Sequence, residues 1–538
     1  YPQLSHTAKR PNMITLYLLL AIPLALYGVY LVSKRKFRYW EQKKVPHLPP
    51  KPILGNFSEY ILQQKFYGRV EQEICKKFPE EPYVGSYLGT EPTLIIQDPE
   101  YIKTVMTKDY YFFSGREVSA YCEKEPLTQN LFFTYGDKWK VLRQNLTPLF
   151  SSAKMKNMFH LIEKCARIFE NMVDQEVQKG KDIEVRGLTA KFTMDAIGNC
   201  AFGVETQTMV KTDNNPFTRV GDAIFDTARM RALKGVLRSI WPAMFYSFGG
   251  KAVPADVDSF FFNLMTSIFK GRNYNPTSRN DFVDLLLKFH NNKTVTGDSM
   301  SNLKGSSGKK VSLEVDDEFL IAQCFLFFAA GYETSATTLS YTLYELAKNP
   351  EAQELAIQDV DNYLRRNDNV LKYECVTELP YVEACVDEAL RLYPVLGVIT
   401  REVIEDYTFP TGLKLEKGLR VHLPVYHMQH NPNYFPEPEQ YRPERFLGEE
   451  KKNIKPYTYF PFGEGPRLCI GMRFAKMQIT AGIITLLKKY RVELAPGMSE
   501  TIQFEPRSVI TAPIGGIRLK FIEREGWQQR VFKVPSEA

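Results

Sequence analysis

The residues best suited to chemistry lie together in Phe462-Gly463-Glu464-Gly465-Pro466-Arg467-Leu468-Cys469-Ile470-Gly471. One cysteine stands in a glycine-rich turn, two positions after an arginine. Met472-Arg473-Phe474-Ala475-Lys476-Met477 then reads as the start of a helix. Backbone N–H groups and the positive end of a helix dipole favour thiolate over thiol at such a place. A lone thiolate there can be a nucleophile or the axial ligand of a haem iron. A buried structural cysteine is the plainer alternative. No histidine base or oxyanion motif accompanies it. The eight cysteines form no Cys-x-x-Cys pair and the seven histidines no His-Glu-x-x-His, which argues against a disulfide scaffold or a zinc site. A second reactive pair, the acid and alcohol Glu333-Thr334, stands far upstream.

The elements that must position these groups can be read from periodicity. One long helix is expected from about Asp316 to Asn349, stopped by Pro350. Its apolar stretch, Phe319 to Ala330, is interrupted by Gln323 and too short to cross a membrane, so it reads as a buried core helix. Tyr83 to Ile96, with Gly89 and Pro92, reads as a hairpin. Lys154 to Gln178 is helical, and short strands are expected at Leu413–Leu415 and Val421–Val425. Residues 291–311 are polar and Gly/Ser-rich and read as a surface loop. The Gly308-Lys309 pair inside it lacks phosphate-loop spacing. The expected class is mainly α with small β-sheets.

With 538 residues, 44% hydrophobic and 13% aromatic, the chain can bury a sizeable core. The net charge of +7 is spread rather than clustered, so nucleic acid is not indicated. No Gly-x-Gly-x-x-Gly fingerprint is present, so the chain binds no pyridine nucleotide or flavin of its own. Met13 to Val32 carries no charge and, at about 1.5 Å rise per residue, is long enough to span the hydrocarbon of a bilayer. Lys34, Arg35, Lys36 and Arg38 follow and favour a cytoplasmic body. The expected organisation is an extension at 1–12, a transmembrane anchor at 13–33, a basic and proline-rich hinge at 34–58, one catalytic domain at 59–525 and a tail at 526–538.

The Phe-x-x-Gly-x-Arg-x-Cys-x-Gly pattern resembles the haem-binding signature of the cytochrome P-450 monooxygenases. Further motifs stand in that family's order. Trp139-Lys140-Val141-Leu142-Arg143 resembles the Trp-x-x-x-Arg of helix C, and Ala330-Gly331-Tyr332-Glu333-Thr334-Ser335 the oxygen-activating segment of helix I. Glu388-Ala389-Leu390-Arg391 resembles the Glu-x-x-Arg of helix K, and Pro443-Glu444-Arg445-Phe446 the loop motif after it. The resemblance runs from about Pro49 to about Arg524.

This resemblance implies the cytochrome P-450 fold and a haem b with Cys469 as its axial ligand. Trp139, Arg143, Arg401 and Arg467 would hold the propionates, and Phe462 would shield the ligand. Ala330, Thr334 and Gly471 would complete the haem surroundings. The plainer reading of Arg401 is a surface arginine beside Glu402 and Glu405. Glu333 and Thr334 would deliver protons, with Thr334 in a local break of helix I that Gly331 eases. The alternative for Thr334 is a hydroxyl bonded back to the preceding turn. Glu388, Arg391 and Arg445 would form a structural ion network. Pocket candidates are Val118–Leu131, Phe225–Leu233, Phe327, Phe328, Val395–Ile399 and Val509–Thr511.

The implied function is a membrane-anchored haem-thiolate monooxygenase. It would insert one oxygen atom from O2 into lipophilic substrates, as insect microsomal members do with foreign compounds. Electrons would come from NADPH-cytochrome P-450 reductase, with a b-type cytochrome as a further candidate donor. Lys138, Lys140, Arg442, Lys451, Lys452 and Lys476 would form the docking face. The implied location is the endoplasmic reticulum membrane, single-pass, with the catalytic domain cytoplasmic. A haem-thiolate isomerase or dehydratase without O2, and a non-enzymatic haem- or lipophile-binding membrane protein, are the alternatives. The intact Glu333-Thr334 pair argues against both.

Overall fold

The computed structural model describes residues 13–211, 214–279, 281–305 and 308–533. The expected extension at 1–12 and the last five residues of the tail lie outside the described residues. Helices of eight or more residues are α1 Met13–Lys36, α2 Tyr67–Cys75, α3 Gly136–Leu146, α4 Ser152–Gln178, α5 Val185–Ile197, α6 Pro216–Ile224, α7 Arg229–Ile240, α8 Ala255–Gly271, α9 Phe282–Asn292, α10 Asp317–Lys348, α11 Pro350–Arg366, α12 Pro380–Leu392 and α13 Met472–Leu487. The strands are β1 Tyr83–Leu88, β2 Glu91–Ile96, β3 Ile183–Glu184, β4 Thr294–Asp298, β5 Lys310–Glu314, β6 Ile399–Glu402, β7 Tyr407–Thr408, β8 Lys414–Leu415, β9 Arg420–Leu423, β10 Tyr490–Leu494 and β11 Arg518–Glu523.

The helix α10 is the axis of the molecule. Asp316 caps it by accepting the Phe319 N–H at 2.8 Å. Asp317 and Glu318 in its first turn and Lys348 in its last complement the helix dipole. It is buried on nearly every side from Phe319 to Leu346, with α5, α12, α13 and α8 packed around it. Pro350 both stops α10 and opens α11, where its fixed φ and missing N–H cost nothing.

A four-stranded sheet of order β1-β2-β9-β6 stands beside the helices. The β1–β2 hairpin turns at Gly89, whose φ of +61° suits glycine. β2 runs parallel to β9, and β6 pairs antiparallel with β9 so that Arg401 lies opposite Val421. A smaller sheet has the order β10-β11-β3.

Three regions differ from the sequence expectation. Residues 291–311 are not a free loop: β4 and β5 pair from Thr294↔Glu314 to Asp298↔Lys310. The reason is local packing. Val295 is buried, and a Cβ at Gly297 would lie 3.1 Å from the Val141 Cα of α3. Gln144 and Asp298 exchange two hydrogen bonds of 2.7 Å. Much of the expected hinge is core. Trp40 is fully buried and donates from Nε1 to Ser86 O at 2.8 Å, His47 bridges Gly85, and Phe57 is fully buried. The described part of the tail is also held, by Arg167 donating to Phe532 O at 3.0 Å and Lys533 O at 2.7 Å. α1 ends on Lys34, Arg35 and Lys36, and Leu24, Tyr27 and Val32 are exposed.

Glu388, Arg391 and Arg445 meet as one buried cluster. Arg391 grips the Glu388 carboxylate at both oxygens, 2.7 and 2.8 Å, and donates to Gln429 O, Pro438 O and Gln440 O. Arg445 adds a contact to Glu388 at 3.4 Å and donates to Pro436 O. Removing one partner strands a buried charge. Arg391→Met is expected to lose about 3–5 kcal/mol of stability, read as a lower thermal or denaturant midpoint.

Candidate functional site

Cys469 is the exposed cysteine; the other seven are buried. The turn that presents it closes through Cys469 N–H to Phe462 O at 2.9 Å and Leu468 N–H to Gly465 O at 2.9 Å. Gly463 and Gly465 have φ of +73° and +69°, which requires glycine in practice. Gly465 is also sterically fixed: a Cβ there would sit 2.0 Å from Met106 O. Gly471 is different. Its φ is −89° and nothing lies near its Cβ position, so the backbone does not demand glycine there. Its amide instead faces the sulfur and works to lower the thiol pKa. Although the residue has an open surface, protein packed around its recess displaces much of the water, and this outweighs that amide and the nearby charges of Arg143 and Arg116, so the Cys469 pKa is raised. The helix-dipole expectation alone had the opposite sign.

Arginines surround this thiol. Arg467 is buried, lies over the Trp139 ring at 4.7 Å, and donates to Ser114 O at 2.9 Å, Thr134 O at 2.6 Å and Tyr110 Oη at 3.2 Å. Arg401 on β6 is buried, which removes the surface reading. It donates from Nη1 to Thr400 O, while its Nε has no protein partner. Its pKa is pushed down to about 10 by burial and by the charge of Arg467. Arg143 on α3 is also lowered by burial. Sequence reasoning missed Arg116. Its guanidinium lies 3.8 Å from the Phe132 ring centroid, and its Nε has no protein partner. Burial, then Arg467 and Arg401, push its pKa well down. No spacing around Arg116 marks it in the sequence.

Among the described residues, none of these four arginines forms an ion pair with a carboxylate, and none has a carboxylate among the causes of its shift. Buried cations without anions are costly. An exposed thiol, four unbalanced guanidinium groups and two orphaned Nε atoms together suit a flat dianion carrying a thiolate-binding metal. The residues present therefore fit a haem.

The acid–alcohol pair lies on α10. Glu333 is almost fully buried, and Arg186 of α5 binds its Oε1 through Nε at 2.8 Å and Nη2 at 2.6 Å. Oε2 has no protein partner. Burial raises the Glu333 pKa, and Arg186 opposes the rise. Arg186 is distant in sequence and carries no motif that would have found it. Thr334 donates from Oγ1 to Ala330 O at 2.7 Å, and Ala330 is exposed in the middle of a mostly buried helix. The expected local break is not seen. α10 runs unbroken through this turn, with the Thr334 hydroxyl on Ala330 O and the Gln478 amide on Gly331 O.

Two pocket candidates are core residues. Phe327 packs on Phe150 and Phe282, and Phe328 on Phe261 and Tyr332. Val509 is 81% exposed and does not line an interior. Of the basic residues expected at a docking face, Lys138, Arg442, Lys452 and Lys476 have acidic neighbours at Glu123, Glu437, Glu449 and Glu383. A separate open groove is lined by Arg143, Lys310 and Arg473, with Thr147, Ser151 and Thr296 among its polar walls; Lys310 is paired with Asp298 at 2.5 Å.

The cytochrome P450 family model matches residues 46–521. Cytochrome P450 6B7 of Helicoverpa armigera is 36% identical over 514 residues, covering 95% of this chain and 99% of that protein. Cytochrome P450 6k1 of Blattella germanica is 35% identical over 508 residues, covering 93% and 95%. Cytochrome P450 6a2 of Drosophila melanogaster is 33% identical over 520 residues, covering 95% and 99%.

Gly465→Ala is expected to push the Cys469 turn off Met106. A clash of that size with backbone should destabilise the fold by about 3 kcal/mol or more, measured as a fall in unfolding midpoint against Gly471→Ala, which should change it little.

Proposed function

We propose, from the premise that this chain belongs to the cytochrome P450 family and is a P450 monooxygenase, that it is anchored to the endoplasmic reticulum membrane and oxidises lipophilic foreign compounds. Members of the family carry a cysteine-ligated haem b and work with O2, a lipophilic substrate and a redox partner. The observation that carries the reading of this site is the cluster of unbalanced arginines beside the exposed Cys469. When bound, the haem supplies the means to cleave O2, one atom entering the substrate and the other leaving as water, with two electrons from NADPH.

Each residue then has a task. Cys469 ligates the iron as thiolate. Arg143, Arg401 and Arg467, with Trp139 and Arg116, hold the propionates, a role suited to the planar guanidinium fork. Phe462 and Gly471 cover the sulfur side. Ala330 gives room on the other face. Thr334 holds a proton at Oγ1, which it must turn away from Ala330 O to use. Glu333 resupplies protons, and Arg186 opposes the burial that raises its pKa. Glu388, Arg391 and Arg445 fix the segment that leads to the loop.

The anchor is α1, whose charge-free stretch is followed by Lys34 to Lys36. The electron donor is an acidic NADPH-dependent reductase or b-type cytochrome. It would meet Lys140, Arg143 and Arg473, the last two lining one open groove, rather than lysines already paired. The relatives, named cytochrome P450 6B7, 6k1 and 6a2, support the monooxygenase part of the reading; the foreign-compound part rests on the motif resemblance.

The test is purified protein with reductase, NADPH and a lipophilic panel: NADPH and O2 consumption matched by hydroxylated product is expected, and its absence across the panel defeats the reading. Thr334→Ala should keep NADPH use but divert most of it to hydrogen peroxide, so product per NADPH falls about tenfold or more. Arg186→Leu removes the cation that lowers the Glu333 pKa, so that pKa climbs further. The acid limb of the coupling–pH profile should move up by about 1–3 units; an unmoved profile would show that Glu333 does not titrate in turnover.

A further inference from the structure

Buried ion pairs are weak sources of stability and are better at fixing register. One such pair lies outside the cysteine site. Glu71 of α2 and His422 of β9 are both fully buried, and Glu71 Oε1 stands 2.6 Å from His422 Nδ1. The Tyr67 hydroxyl lies 3.3 Å from the same nitrogen. Glu71 Oε2 has no protein partner. Elsewhere the inner face of α2 is apolar: Val70 and Ile74 share a core cluster with Val84, Leu88 and Ile95 of the sheet. Apolar burial sets how deeply a helix sits but has no direction. The Glu71–His422 bond sets where along β9 it sits.

The first turn of α2 rests on the segment that leads to Arg401. Gly68 and Gly397 meet back to back: a Cβ on either would lie 3.3 Å from the Cα of the other. The Phe66 ring wedges beside them, 2.8 Å from the Cβ position of Gly68 and 2.6 Å from that of Gly397. No side chain stands between the two backbones at this point, and close-packed interiors transmit strain, so a shift of α2 passes on directly. Gly397 O accepts the Tyr426 N–H at 2.9 Å, and Val395 O the Thr511 N–H at 2.9 Å. Two residues beyond Gly397, Ile399 Cδ1 lies 3.9 Å from the Cβ position of Gly463 in the Cys469 turn. His422 itself stands opposite Thr400 in the β6–β9 register, next to Arg401. α2 is thus linked to residues 397–400 at two points, directly through Gly68 and by way of His422.

We propose that Glu71 and His422 are positioning residues for the segment 395–401, and that through it they help decide which lipophilic ligands the pocket accepts. Neither side chain touches a ligand. They act through Gly397 and Thr400. With the pair intact, α2 is pinned to β9 and the segment has one position. Without it, α2 is held by apolar contacts alone and can slide, and the segment follows. The proposal rests on Cys469 as the haem ligand and on Val395–Ile399 as a wall of the pocket.

Ligand binding to the resting full-length holoprotein tests it without electrons or a known substrate. Imidazole needs only the iron, whereas 4-phenylimidazole also needs a fitting wall beside it. Both are titrated by the Soret shift they cause. Glu71→Leu should lower the preference for 4-phenylimidazole over imidazole by about threefold or more, the effect of losing one hydrogen bond, with the affinity for imidazole unchanged. Glu71→Gln, which can still bond His422, should restore the parent preference. Gly397→Ala presses on Phe66 and α2 from the other side and should lower the preference too. Val70→Ala weakens the packing of α2 but spares the pair, so it should lower the unfolding midpoint and leave the preference alone. Where Glu71→Leu does not retain haem, Glu71→Asp, one methylene short of His422, gives the same reading. An unchanged preference in the haem-bearing Leu or Asp variant, or an equal fall in Val70→Ala, overturns the proposal. A parent protein that shows no Soret shift with imidazole would overturn the haem reading on which it stands.

Discussion

Arg116, Arg143, Arg401 and Arg467 crowd one another beside Cys469 without a carboxylate to balance them, and much else in the molecule follows from that. Burial depresses each of their pKa values, and for Arg116 and Arg401 the charge of Arg467 adds to the effect. Backbone carbonyls of Ser114 and Thr134 give Arg467 partial relief, but Arg116 and Arg401 keep unpartnered Nε atoms. A fold with this charge arrangement is incomplete alone. An anion that binds the folded chain and not the unfolded one stabilises it by mass action, so on the proposed site haem loading and folding would be coupled through electrostatics as well as through the sulfur bond.

The Glu388 cluster shows the opposite solution to the same problem. There a buried carboxylate is paired bidentately with Arg391, approached by Arg445, and the spare N–H groups reach carbonyls. Charge is satisfied inside the protein and serves rigidity. Around Cys469 charge is left for a ligand. The two clusters divide stability from binding, while α10 and α13 join them to the turn that bears Glu333 and Thr334.

How much of this was legible depends on distance along the chain. The long helix, the first hairpin and the Cys469 turn are local patterns: a capping aspartate, a positive-φ glycine, a cysteine between glycines. Those were readable. The β4–β5 hairpin was not, because its strands are held by Gln144 and by close packing of Gly297 on Val141, contacts that composition does not encode. Trp40 lies in a segment whose basic and proline-rich content suggested a hinge, yet one indole with a fitted slot over Gly85 outweighs that signal. Arg116, Arg186 and Gln478 act through partners more than a hundred residues away, or through an unpaired atom, and no motif announces them. The unbroken course of α10 at Gly331 also eluded a motif-based reading.

The central claim is that Cys469 holds the haem as thiolate within the arginine cluster. The most direct measurement is the absorption spectrum of the reduced, CO-treated protein alongside Cys469→Ser. The expected result is a red-shifted Soret band of thiolate-ligated haem in the parent chain and its loss in the variant. A parent protein without that band, or a variant that keeps it, would contradict the assignment.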